Sequence, residues 1–154
     1  MKNTKTETFI FKGLGFPIKL INVPMKKMVG EWVLDINLNK LQLVVLECLV
    51  RKSAPLNGDE LKFMRKFLNM STTDFGKIFG VTHVAVIKWE SGKTRINLST
   101  EVCIRLYMFD RLIKAKDKDF RKLYHEINTE MLSKNKNEKI DPIAIDNFED
   151  LKSA

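Results

Sequence analysis

The chain has 154 residues, 44% hydrophobic and 30% charged, and its 27 Lys and Arg against 19 Asp and Glu give a formal net charge of +8. This length allows one domain or two small ones with a buried core, and the basic excess weakly favours an anionic partner such as nucleic acid. The apolar stretches are too short to cross a bilayer, and the run MKNTKTETFIF lacks the apolar core of a signal peptide. We therefore expect a soluble, cytoplasmic protein with no membrane partner.

Short strands are predicted over residues 2–35. The β-branched and aromatic residues 8–11 favour a strand, and the glycines of residues 12–15 favour a turn after it. Pro24 lacks a backbone N–H, so any strand through it is expected at the edge of a sheet. With a further short strand over residues 28–34, the segment predicts a small antiparallel sheet.

Helical periodicity begins at Asn37, and Pro55 marks the end of this first helix and a domain boundary. Residues 57–112 are then densely helical with short breaks, and one more helix is expected over residues 120–131. The polar, lysine-rich run that follows predicts disorder. The predicted units are a strand and helix unit over 1–54, a helical domain over 55–131 and a disordered tail over 132–154.

The two cysteines, Cys48 and Cys103, lie in separate apolar, helix-like runs. Because these runs are apolar, we expect two buried thiols in a reducing compartment. Neither cysteine belongs to a C-x-x-C pair that could hold zinc. His125 has no second histidine near it and is expected at the surface. The sequence therefore predicts no metal and no cofactor.

Three consecutive helices with clear start and stop signals are predicted after residue 56. Asn57 precedes Glu60 by three residues, which is the spacing of a capping box at the start of the first helix. Ser71 or Thr72 can cap the second helix.

Gly80 suits a left-handed residue that ends the second helix, and Thr82 can cap the third. At 100° per residue, the third helix has two opposite faces. The inward residues are Ala85, Val86 and Trp89, and the outward residues are His83, Val84, Ile87 and Lys88. The outward mixture is unusual for a solvated face and suits contact with base edges and thymine methyl groups.

Residues 70–93 resemble the helix-turn-helix of the phage Cro/C1 repressor family, also called XRE-type. The family pattern L-S-Q-x-E-L-A-x-x-L-G-V-S-x-x-x-V-S-x-W-E-x-G-K runs through them without a gap. The identical positions are Ser71, Gly80, Val81, Val86, Trp89, Glu90, Gly92 and Lys93. The resemblance implies a DNA-binding domain whose third helix reads the major groove.

Individual roles follow from this resemblance. It places His83, Val84 and Lys88 at base-reading positions, and it implies that Arg65 pairs with Glu90 as a brace between helices. The predicted DNA-binding residues lie at the start of the second helix, on the third helix with its cap, and in the loop that follows: Ser71, Thr72, Thr82, His83, Val84, Ile87, Lys88, Ser91, Lys93 and Arg95.

Several of these positions carry particular expectations. Ser91, Lys93 and Arg95 fall in the loop after the third helix, where contacts to the DNA backbone are usual. Thr72 replaces a family Gln that touches phosphate. Ile87 replaces a family Ser, which implies either more apolar readout or a buried role.

A longer and looser resemblance covers about residues 8–112. The arrangement F-x-F-K-G-L, I-N-V-P, G-E-W and P-L-N-G-D-E-L-K-F-M-R-K is similar to the MqsA (YgiT-type) antitoxins, in which a zinc-bearing strand domain precedes a repressor helix-turn-helix. Here residues 28–31, Met-Val-Gly-Glu, stand where C-x-x-C-G-E is expected. The resemblance therefore implies a metal-free relative.

We predict an α+β protein: a small N-terminal antiparallel strand unit plus one helix, followed by a four- or five-helix lambda-repressor-like helix-turn-helix domain. The predicted function is sequence-specific binding of double-stranded operator DNA as a homodimer, giving autorepression in a type II toxin–antitoxin module. One alternative is a protein-interaction module that neutralises a toxin, with DNA binding secondary. Another is a three-helix core used only for packing or dimerisation. Residues 114–139 are expected to form a solvated helix and tail, with contact to DNA phosphates as the alternative. No enzyme is expected, because the sequence has no nucleophile–base pair, Gly-rich phosphate loop or metal cluster.

Overall fold

The computed structural model describes residues 3–113, 117–127, 129–137 and 139–152. The protein is mixed α+β and divides into two compact units, residues 1–45 with 141–154 and residues 46–140. The strands are β1 (Thr4–Phe11), β2 (Ile18–Met28), β3 (Glu31–Leu34) and β4 (Ile143–Ile145). The helices are α1 (Leu38–Val50), α2 (Gly58–Phe67), α3 (Thr72–Ile78), α4 (His83–Glu90), α5 (Leu98–Ile113), α6 (Asp117–Glu126) and α7 (Thr129–Lys134). None of the helices described is long and apolar enough to cross a membrane.

The first unit is built on a sheet whose central strand is β2. It pairs antiparallel with β1 and β3, and parallel with β4. Ile18, Leu20 and Val23 of β2 are fully buried and form the core of this unit. The hairpin from β2 to β3 turns through Val29 (φ +49°) and Gly30 (φ +85°), and two successive positive φ angles match the right-handed twist of the strands.

The edge position expected for Pro24 is wrong, because β2 has neighbours on both sides. Pro24 stands opposite Thr6 of β1, and on its other side the Asp35 N–H donates to the Pro24 carbonyl at 2.8 Å. The first β2–β3 pair that follows is Met25 with Leu34. The missing N–H therefore falls at the end of that ladder, where its loss interrupts no continuous pairing.

The prediction of disorder over residues 132–154 is also wrong for the described part. Residues 143–145 add β4 to the sheet beside Ile18 and Leu20 of β2, and the Asn37 N–H donates to the Leu151 carbonyl at 2.7 Å. Three apolar side chains at close spacing are buried in this segment: Ile145, Phe148 and Leu151. Their burial offsets the entropy that is lost when the chain becomes ordered. The prediction failed because the lysine-rich run before these three residues has a composition typical of disorder. The last segment thereby belongs to the sheet unit.

The second unit is helical. Its core contains Leu61 and Met64 of α2, Phe75 of α3, and Ile104 and Met108 of α5, all fully buried. The single helix expected over residues 120–131 is two, α6 and α7. The unit begins inside α1, earlier than the boundary predicted near Pro55.

The two thiols differ from each other. Cys48 is half-buried, and burial, with the charge of Glu47, raises the pKa of its thiol. Cys103 is exposed, so the expectation of a buried thiol is wrong there. Its run in α5 is apolar, but the helix turns position 103 away from the buried face that holds Ile104 and Met108.

A buried ion pair on α5 holds the segment between α1 and α2. Arg105 Nη2 lies 2.9 Å from Glu101 Oε2, and the Leu56 N–H donates to Glu101 Oε1 at 2.9 Å. The guanidinium also donates to the carbonyls of Val50 (3.2 Å), Lys52 and Ala54 (2.7 Å). Burial raises the pKa of the Glu101 carboxyl and lowers that of the guanidinium, while their mutual attraction opposes both shifts.

Candidate nucleic-acid interface

Helices α3 and α4 both begin at capped residues. The Asp74 N–H donates to Ser71 Oγ at 3.1 Å, and the Ala85 N–H donates to Thr82 Oγ1 at 3.2 Å. Ser71 is therefore the cap of α3, and Thr72, the alternative, is its first residue. The two caps confirm the predicted helix starts, because each satisfies a backbone donor that the helix leaves open.

The turn between α3 and α4 is tight. Gly80 has φ +68°, as its predicted left-handed role requires, and the Val81 N–H donates to the Gly76 carbonyl at 2.9 Å. An ideal Cβ on Gly76 would lie 2.6 Å from the Val81 carbonyl oxygen. The backbone of α3 thus approaches the turn too closely for a side chain at position 76. No sequence pattern predicted this close approach.

The two faces of α4 are as predicted. Val86 is fully buried, Trp89 is buried and Ala85 is half-buried, whereas His83 and Lys88 are exposed. Val84 and Ile87 are 46% and 48% exposed. The apolar-readout alternative for Ile87 therefore remains, and its buried alternative is wrong. The outward face combines two branched apolar side chains with an imidazole and an ammonium group.

The loop after α4 presents the remaining predicted residues. Ser91, Lys93 and Arg95 are exposed, and the Lys93 N–H donates to the Lys88 carbonyl at 2.9 Å. Arg95 Nη1 donates to the Lys136 carbonyl at 2.6 Å, which brings the exposed Lys136 beside this loop. Sequence reasoning treated Lys136 only as part of a lysine-rich run, since this contact joins residues 41 positions apart.

The predicted brace between helices is present. Arg65 Nε and Nη2 lie 2.5 Å and 3.2 Å from the two carboxylate oxygens of Glu90, and Arg65 Nη1 donates to the Met70 carbonyl at 2.8 Å. The two side chains are 11% and 10% exposed. A bidentate pair of this kind fixes both distance and orientation. It ties the last turns of α2 and α4 to the segment that leads into α3.

The start of α2 contacts the end of α4 through a glycine. Asn57 forms the predicted capping box with Glu60, whose carboxylate also binds Lys52 Nζ at 2.8 Å. Gly58 is the first residue of α2, directly after the cap. An ideal Cβ on Gly58 would lie 2.3 Å from the Glu90 carbonyl oxygen and 2.6 Å from that of Trp89.

We expect Gly58→Ala to destabilise the protein by about 1–3 kcal/mol, because the added methyl group meets backbone oxygens that cannot turn aside. Urea unfolding followed by circular dichroism measures the change. Lys62→Ala, an exposed change in the same helix, is the control and should alter stability by about 0.5 kcal/mol or less. Equal stability of Gly58→Ala and the native chain would contradict this close approach of α2 to α4.

In the part of the chain that the structure describes, no group of three or more His, Cys, Asp or Glu is placed to hold a metal ion. No protein-family model matches the sequence, and no curated protein or solved structure shows significant similarity to it.

Proposed function

We propose that the helical unit is a Cro/C1-type helix-turn-helix domain that binds double-stranded DNA, and that the protein is a cytoplasmic, dimeric transcriptional repressor of its own operon. The observation that carries the proposal is the outward face of α4. Val84 and Ile87 are about half exposed beside His83 and Lys88, while the opposite face is buried. A surface helix without a partner normally presents polar residues to water.

This face suits the major groove of B-DNA, which admits an α-helix. Branched apolar side chains can contact thymine methyl groups, a lysine can donate to guanine O6 and N7, and a histidine can donate or accept at a base edge. Lys88, His83 and Val84 are the residues that we assign to base readout. Because α4 is held by its cap and by the Arg65–Glu90 pair, it presents these side chains in one fixed direction.

Other residues are suited to the DNA backbone. The hydroxyls of Ser71 and Thr82 accept from backbone N–H groups, so their own protons remain available to phosphate oxygens. Lys93 and Lys136 are exposed cations at the loop after α4. A formal net charge of +8 would further attract the polyanion and make binding depend strongly on salt.

Replacing either Lys88 or His83 by Ala should weaken binding to the cognate site by roughly 1–3 kcal/mol, with little change on random DNA. The reason is that a base contact contributes to one sequence only, whereas a phosphate contact contributes to all. Fluorescence anisotropy on both duplexes at fixed salt measures the two affinities. Lys62→Ala, which removes an exposed lysine from α2, is the matched control and should leave both affinities within twofold.

A gel shift of the pure protein on its own promoter tests the proposal itself. A discrete complex that survives an excess of random DNA is expected. Binding to promoter and random DNA with equal affinity would contradict sequence-specific repression, and equal losses of Lys88→Ala on both duplexes would reassign that residue to a phosphate.

A second role, neutralising a toxin as an antitoxin, is favoured by the sheet unit. Its described surface exposes large apolar side chains, including Met28 at 51% and Trp32 at 37%, of a kind enriched where proteins meet. Co-expression with the product of an adjacent reading frame tests this role. Co-purification that is lost in Trp32→Ala, with DNA binding unchanged, is the expected result. Failure to relieve toxicity would exclude it.

A further inference from the structure

Strand β1 forms an open edge of the sheet. Within the described chain it pairs only with β2, and residues 3–8 are all exposed. An edge of this length presents backbone donors and acceptors that can pair with another strand.

The groups that face this edge follow from the β1–β2 hydrogen bonds. The Lys27 N–H donates to the Asn3 carbonyl at 3.0 Å, so these residues form a hydrogen-bonded pair. Such pairs alternate with non-bonded pairs along an antiparallel ladder. In the observed register, Thr4 and Thr6 stand at the non-bonded positions, and their N–H and C=O groups point away from β2. Pro24, opposite Thr6, agrees with this assignment because no N–H is needed there.

The sequence around Thr6 is complementary to itself. Lys5 and Glu7 lie on one face of β1, with Lys5 Nζ 2.8 Å from Glu7 Oε2. If an identical strand pairs antiparallel about a two-fold axis at Thr6, each Lys5 stands opposite Glu7 of the second copy, and the reverse. Thr6 then meets its own copy and exchanges two backbone hydrogen bonds with it. Opposite charges at facing positions favour this register, while a shift of two residues would remove both matches and place two Lys5 or two Glu7 side chains opposite each other.

We propose that β1 is a homodimer interface at which two copies pair their edges antiparallel about Thr6, joining two sheets into one. A second copy is the occupant because the charge pattern matches itself, and a two-fold contact requires such a match. The register of β1 shifts after Glu7, where the Asn22 N–H donates to Thr8 Oγ1 at 2.9 Å. The paired segment is therefore short and centred on Thr6, with residues 5–7 at its middle. This inference does not depend on DNA binding.

A cysteine placed at the axis tests the pairing. In the full-length chain with Cys103→Ser, which removes the exposed thiol, Thr6→Cys should form a disulfide-linked dimer under mild oxidation, since facing residues of a hydrogen-bonded pair lie about 5.5 Å apart at Cα. Ile10→Cys is the matched control. The two copies of residue 10 would lie about 26 Å apart along the strands, so this variant should remain monomeric. Absent cross-linking at position 6, or equal cross-linking at 6 and 10, would overturn the proposal.

Charge exchange provides a second, independent test with the same Thr6→Cys readout. Lys5→Glu places two carboxylates opposite each other in the homodimer, and Glu7→Lys places two ammonium groups there. Each change alone should slow cross-linking at least tenfold, and an equimolar mixture should restore it as the heterodimer, identified by mass. Cross-linking that ignores these charges would overturn the proposal. So would its absence in the mixture, which would leave the edge to a strand of a different protein.

Discussion

Replacing Arg105 by Met should lower the free energy of unfolding by about 3–5 kcal/mol, a large fraction of the stability of a small protein. The side chain is fully buried, and it donates both to the Glu101 carboxylate and to carbonyls of the segment between α1 and α2. Met fills a similar volume without donors. The change therefore leaves the buried carboxylate without its counter-charge and several carbonyl oxygens without this donor, which costs more than the pair contributes when intact.

Urea unfolding monitored by circular dichroism measures this effect, with Arg111→Met as the matched control. Arg111 is exposed and stacks over the Tyr107 ring at 5.3 Å, so its loss should cost about 1 kcal/mol or less. Arg105 Nε has no hydrogen-bond partner in the described structure, so one N–H donor of the guanidinium is unsatisfied. A cost of Arg105→Met no larger than that of the control would contradict its role in holding residues 50–56.

Breaking the Arg65–Glu90 pair should have the next largest effect. Glu90→Gln should destabilise the protein by about 3 kcal/mol, because the two side chains are only 11% and 10% exposed and the guanidinium loses its counter-charge. The carbonyl of Met70 still accepts from Arg65, which limits the loss. Removing both partners with Arg65→Met and Glu90→Gln should cost less than the sum of the single changes.

The double-mutant cycle isolates the interaction, with an expected coupling of about 1–3 kcal/mol. The exposed pair Lys152–Glu149, with side chains 62% and 77% exposed, is the control and should couple by about 0.5 kcal/mol or less. A coupling near zero for Arg65 and Glu90 would show that the two side chains do not act on each other in solution. Arg65→Met and Glu90→Gln should lower DNA affinity only if the loss of the contact between α2 and α4 also changes the orientation of the outward face of α4.

The local features of the helical unit could be predicted because they depend on neighbours in sequence. The caps at Asn57, Ser71 and Thr82 rest on contacts within three residues, and the faces of α4 follow from the helical period alone. The Arg65–Glu90 contact spans 25 positions and was reached through the family resemblance rather than through any local pattern.

By itself, the sequence determined the mixed α+β composition, the starts of α2, α3 and α4, the left-handed turn at Gly80 and the exposed mixture of side chains on α4. Only the tertiary structure decided the central position of β2 despite Pro24, the return of β4 to the sheet, and the burial of Arg105 beneath residues 50–56. The physical reason is common to all three. Each rests on hydrogen bonds or apolar contacts between segments distant along the chain, and the free energy of such contacts overrides local propensity and composition.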